Sequence, residues 1–127
     1  MKITKLLLVL MILPLFVGCR TTVMSADGKV FYPLERKINY WETYIQKPLA
    51  EVHKAVVVGL KALEVKPITN QADKVSATVD GIFADNMDFE VVLESVAPAM
   101  TKIKIRCGIT GDQQRSIILF KSFEKEL

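Results

Sequence analysis

Apolar and polar residues follow three different rhythms along this chain, and each predicts a different kind of element. From Leu6 to Leu13 the apolar residues are continuous, behind Lys2 and Lys5, and Pro14 interrupts the run. The run is too short to cross a ~30 Å hydrocarbon core comfortably as a helix. A basic start followed by a short apolar stretch is the order of a secretory signal. Further on, Leu49, Val52, Val56, Leu60 and Leu63 recur at spacings of three and four. That is one apolar stripe of a helix, opened by Pro48, whose missing N–H is no loss in a first turn. Glu51, Lys54 and Lys61 cluster on the opposite side together with Val58, and His53 sits at the edge of the stripe. Gly59 flanks the stripe and predicts close approach to a sheet, at ~1 kcal/mol of helix propensity.

After residue 74 the rhythm becomes twofold. Val75, Ala77 and Val79 alternate with polar residues; so do Phe89, Val91 and Leu93, and then Ile103, Ile105, Cys107 and Ile109. Such alternation suits antiparallel strands with one face covered and one wet. Gly81 suggests a bulge, while Asp85 to Asp88 and Ala97-Pro98-Ala99 supply turns. Glu94 should pair with Lys102 or Lys104, since a one-residue slip would set isoleucine against glutamate. Ile38 to Ile45 predicts an earlier strand, with Tyr40 and Tyr44 on one face and Trp41, Thr43 and Ile45 on the other. Val65 to Thr69, broken by Pro67, is at most an edge strand, followed by a turn at Asn70 to Asp73. Asp112 is a suitable N-cap for a last helix that presents Leu119, Phe120, Phe123 and Leu127 on one face, with Ser122 away from it and Ile118 an apolar exception.

The predicted fold is α+β: an antiparallel sheet of about four strands with two helices packed on one face, in the order β-α-β-β-β-α. Residues 1–18 are read as a cleaved signal peptide, 19–37 as a short tether and 38–127 as the folded domain. Ser25-Ala26-Asp27-Gly28 and Pro33 carry the turn and breaker chemistry behind the tether assignment.

Composition narrows the classes of function. The chain has 127 residues, 17 basic and 14 acidic. Loss of residues 1–18 leaves 109 residues, enough for one small core. It also removes Lys2 and Lys5, so 17 basic residues become 15 against 14 acidic ones. A nearly neutral domain gives no electrostatic reason to expect nucleic acid. The single histidine excludes a histidine-based metal cluster, and the Asp85-Asn86-Asp88 loop lacks the remaining ligands of a calcium pattern. Glu90 and Glu94 share a strand face about 13 Å apart, too far for a coupled carboxylate pair. No phosphate loop, nucleophile elbow or CxxC pair is present, and Ser116 has no identifiable base. The expectation is therefore a non-enzymatic protein with no catalytic residue, metal or cofactor.

Two resemblances add to this reading. Phe16-Val17-Gly18-Cys19 resembles the lipobox of bacterial lipoproteins. The resemblance implies that Cys19 receives a diacylglycerol, that cleavage precedes it, and that its new amine is acylated with a fatty acid such as palmitate. Cys19 would then be the lipidation site, and Cys107 a lone thiol on an apolar strand face. Arg20, in place of Asp, implies by the same resemblance sorting to the outer membrane of a Gram-negative envelope, facing the periplasm. From Tyr40 onwards the chain also resembles small bacterial lipoproteins of unknown function. The resemblance rests on Lys47-Pro48-Leu49 with Val52 and Ala55, on the strand Thr101 to Arg106, and on Gly111-Asp112 before Ser116 and Ile118-Leu119. It brings no catalytic residues. The expected role is a membrane-anchored module that binds another envelope protein or supports an envelope assembly, through Tyr40, Trp41, Tyr44 and the uncovered sheet face. The alternative is a carrier of a small apolar ligand, which would need a cavity between Val52, Val56, Leu60 and the sheet.

Overall fold

The structure, a computed structural model, describes residues 20–65 and 67–127. The expected signal peptide, residues 1–18, and the expected lipidation site Cys19 lie outside the described residues. The chain forms β1 (Arg20–Met24), β2 (Phe31–Arg36), β3 (Trp41–Ile45), α1 (Leu49–Ala62), β4 (Pro67–Ala72), β5 (Ser76–Ile82), β6 (Asp88–Ala97), β7 (Met100–Cys107) and α2 (Gln113–Glu124). All seven strands belong to one sheet, ordered β1-β2-β3-β7-β6-β5-β4. Every adjacent pair is antiparallel. Helix α1 carries the chain from β3 to the far edge, and three hairpins then return it to β7, beside β3.

This corrects the expectation of about four strands preceded by a tether. Residues 20–36 are a hairpin that widens the sheet: Val23 pairs with Tyr32 and Thr21 with Leu34. The turn residues between them close that hairpin. Ser25 Oγ accepts from the amides of Lys29 and Val30, and the Ser25 amide donates to the Val30 carbonyl at 2.8 Å. Leu34 and Val23 are 0% and 2% exposed, and the Tyr32 ring meets Phe120 edge-on at 5.2 Å. The driving force is the apolar end of α2, which would otherwise face water. The β4 edge strand also extends further than expected, through Asn70 to Ala72, so its turn falls at Asp73 to Val75. Gly81 stays in register opposite Phe89, but on its other side the β4 ladder shifts between Pro67, opposite Gly81, and Thr69, opposite Asp80. The expected irregularity thus falls at Gly81, with the extra residue in β4; a second lies between Ser95 and Ala97.

Where alternation was clear, the register is as the charges require. Glu94 lies opposite Lys102 and accepts ion pairs from Lys102 at 3.1 Å and from Lys104 at 3.0 Å. The inward set Phe89, Val91, Leu93, Ile103, Ile105 and Cys107 is at most 1% exposed, against Val52, Val56, Leu60, Leu119, Phe120 and Phe123 of the helices. Each such side chain contributes ~1.5–3 kcal/mol of burial. Asp112 caps α2, accepting from the Arg115 amide at 2.9 Å. Gly59 makes its close approach to the other helix and not to the sheet: a Cβ there would sit 2.6 Å from the Ser122 carbonyl oxygen. Ser122 is accordingly buried, its hydroxyl donating to the Leu119 carbonyl at 2.6 Å. Ile109 leaves the strand pattern altogether. β7 ends at Cys107, and Ile109 stands 88% exposed in the following loop.

Candidate interaction surface

Among the described residues, two helices cover one face of the sheet, so the opposite face is where exposed strand residues collect. Paired positions point the same way in an antiparallel ladder. The row Glu35, Glu42, Lys104 and Val92 therefore defines the uncovered face. Tyr44 belongs to it and is 51% exposed. Tyr40 belongs to it as well, half-buried beneath the Lys104 ammonium, which lies 5.6 Å from its ring centre. Trp41 does not. It points into the core at 2% exposure and donates its Nε1–H to the Gly111 carbonyl at 3.1 Å. The three aromatics proposed from sequence are thus divided, two on the open face and one in the interior.

The open face has two aromatic ends separated by charge. At one end Tyr44 neighbours residues of the hairpin. Met24 and Phe31 are paired across β1 and β2 and are 52% and 63% exposed. Beside them is a hollow of about 290 Å³ walled by Phe31, Pro33, Tyr44 and Lys47, among others. At the other end Tyr40 borders a hollow of about 260 Å³ with Asn39, Glu90, Val92, Lys104 and Arg106. Between them Lys37 bridges Glu35 at 3.3 Å and Glu42 at 3.4 Å, and Glu94 bridges its two lysines. The lysine hydrogen bonds, from Lys104 and then Lys102, hold the Glu94 carboxyl below its usual range. This face offers apolar contact at Tyr44, Phe31 and Met24 and a fixed pattern of charges beside it. Phe31, Met24 and Pro33 were not expected here, because their segment read as tether. The signal was present in the apolar Val30-Phe31-Tyr32 triplet.

Outside this face, the other residues weighed for chemistry have structural partners. His53 Nε2 and Asn70 Oδ1 lie 2.7 Å apart, joining α1 to β4. Cys107 is fully buried, and desolvation pushes its thiol up to about 11. Asp85 is not only a turn residue. Its carboxylate receives two N–H groups of Arg115, one at 2.7 Å, while the guanidinium lies 5.0 Å from the Phe83 ring centre. Those hydrogen bonds bring the Asp85 carboxyl down to about 2. A carboxyl lowered on folding favours the native state above its unfolded pKa near 3.8, and that contribution is lost as pH falls toward 2. Asp85→Asn should therefore flatten the dependence of melting temperature on pH between about 4 and 2 relative to the unsubstituted protein. Parallel slopes over that window would contradict the pairing.

Among the described residues, no group of three His, Cys, Asp or Glu side chains could hold a metal ion. Residues 2–126 match the family model described as a protein of unknown function, DUF3568. The chain belongs to this family. No curated protein matches it. The matched span takes in the apolar run at Leu6 to Leu13 and the nine elements of the described residues, so both belong to one family pattern.

Proposed function

We propose that this protein is a lipid-anchored envelope lipoprotein whose domain binds another protein, or supports an envelope assembly, without catalysing a reaction. The observation that carries the reading is the order Lys2, Lys5, Leu6 to Leu13, then Phe16-Val17-Gly18-Cys19, followed directly at Arg20 by the first strand of the domain. Cys19 is the proposed lipidation site, with the outer membrane, periplasmic side, as the proposed address. Two or more acyl chains hold a protein on a membrane stably, whereas one holds it only marginally. Among the described residues no helix is long and apolar enough to cross a membrane.

The partner would meet the open sheet face at Tyr44, Phe31 and Met24, where aromatic and methionine contact is available beside ordered charges. The carrier alternative has less support: Val52, Val56 and Leu60 are at most 1% exposed and packed into the core cluster. Five hollows on the described residues are bordered by none of the three. The test is photo-crosslinking in intact cells from position 44, with position 118 on the outer side of α2 as the comparison. The expected result is one discrete adduct from position 44, absent from position 118 and lost with Phe31→Lys. Uptake of an apolar fluorescent probe that Val56→Trp abolishes, with no adduct from position 44, would overturn the binding module in favour of the carrier.

A further inference from the structure

The two most exposed large apolar side chains of the described residues are Ile38, 94% exposed, and Ile109, 88% exposed. They are far apart in sequence but share one end of the sheet. Ile38 lies in the turn from β2 to β3, whose Lys37 amide donates to the Tyr40 carbonyl at 2.9 Å. Ile109 lies in the loop between β7 and α2. The two loops are fastened together: Arg36 Nη2 donates to the Thr110 carbonyl at 3.3 Å, and Gly111 lies tight against the Asn39 carbonyl. Exposed isoleucines at the tips of two interlocked loops gain nothing from the fold, since neither is among the buried residues or those packed against the core.

The chain enters the domain at this same end. Arg20 is paired with Glu35, one residue before the end of β2, and the Ile38 turn follows directly. The residues that precede Arg20 in sequence, with the apolar run and Cys19, therefore join the domain on the side that carries the isoleucine tips. Arg36, two residues before Ile38, brings a cation suited to lipid phosphates to this end, whereas the neighbouring Lys37 is bridged to Glu35 and Glu42. The nearby acids Asp85 and Asp88 are bridged by Arg115 and Arg106, which lowers the repulsion an anionic surface would meet. Because the first strand starts immediately after Cys19, a lipid on that residue leaves almost no leash to hold the domain away.

The geometry points to this end of the sheet as a membrane-resting surface, with the Ile38 and Ile109 side chains sunk among the headgroups and upper acyl chains of a phospholipid bilayer. The inference rests on the anchoring reading and adds an orientation to it. The strands stand on the bilayer, and the Tyr44, Phe31 and Met24 end of the open face points away from it, toward a partner.

The experiment uses full-length protein purified from membranes and reconstituted into vesicles of phosphatidylethanolamine and phosphatidylglycerol. Ile38→Cys, Ile109→Cys and, for comparison, Ile118→Cys are each labelled with an environment-sensitive fluorophore. Cys107, at 0% exposure, should stay unlabelled in the folded protein. Labels at 38 and 109 are expected to shift to the blue and to be quenched several-fold more by nitroxide-bearing lipid than the label at 118. Vesicle-bound protein with equal quenching at all three positions would overturn the orientation while leaving the anchor intact. A blue shift at 38 and 109 that grows with protein density and resists lipid quenching would assign the patch to a second copy of this chain and overturn the membrane contact. Protein that fails to float with vesicles and takes label on a free Cys19 thiol would overturn the anchor and the orientation together.

Discussion

Gly111→Ala is expected to destabilise the domain by about 3 kcal/mol or more. Gly111 has a φ of +74°, in the region that L side chains rarely adopt, which alone costs about 1–2 kcal/mol for alanine. The added Cβ would lie 2.4 Å from the Asn39 carbonyl oxygen and 2.7 Å from its carbon, both backbone atoms that cannot rotate aside. Relief requires the β2–β3 turn and the β7–α2 loop to part. Parting them pulls the Gly111 carbonyl from the Trp41 Nε1–H, which is buried and would be left without its acceptor, at about 1–3 kcal/mol. For a domain of this size each kcal/mol lowers the melting temperature by roughly 4–8 °C. A drop of about 10 °C or more by circular dichroism is expected, with a blunted near-ultraviolet signal as Trp41 loosens. A change under about 2 °C would mean that the two loops are not held as described.

That contact also marks how far sequence reading reaches. Gly111-Asp112 was legible as a helix start, because an N-cap is a local device that needs only the next few amides. The register of β5 to β7 was legible for a related reason. In these strands one face is apolar and the other charged, so Glu94 against Lys102 satisfies both faces at once. The hairpin of β1 and β2 offered no such contrast. Thr21, Thr22 and Val23 show little alternation, and Asp27, Gly28 and Pro33 are breakers by type. Pro33 is tolerated because β2 pairs with β3 only through Glu35 and Arg36, so the proline occupies an edge-like position. What makes those residues strands is burial of Val23 and Leu34 in the core and the edge-on contact of Tyr32 with Phe120, residues from opposite ends of the chain.

The candidate surface was legible in part for the same reasons. Period two divided Tyr40 and Tyr44 from Trp41 correctly, but density of aromatics is no guide to exposure, and Trp41 proved to be core. Phe31 and Met24 joined Tyr44 only once the hairpin was in the sheet. Ile109 continued an apolar alternation on paper, yet β7 had already ended, because Gly108 takes a positive φ of 70° and turns the chain. Its exposure became visible only in three dimensions, and so did its nearness to Ile38.

The other large effect is expected at Cys19, where the outcome is close to all or none. Acyl chains contribute ~0.8 kcal/mol per buried methylene, and a cysteine carrying two or three of them does not leave a bilayer on the timescale of fractionation. Cys19→Ala removes the sulfur that would carry the diacylglycerol and with it the proposed processing step. The variant should be released as a soluble protein or retained as an unprocessed precursor, with its sheet unchanged because β1 begins at Arg20. The most direct measurement is therefore intact mass spectrometry of the natural protein with membrane fractionation of this variant beside it. The expected result is a chain beginning at residue 19 with fatty-acyl mass on that residue, and loss of that form in the variant. A natural chain that begins elsewhere, or an unmodified Cys19 on freely soluble protein, would contradict the anchor and the orientation built on it.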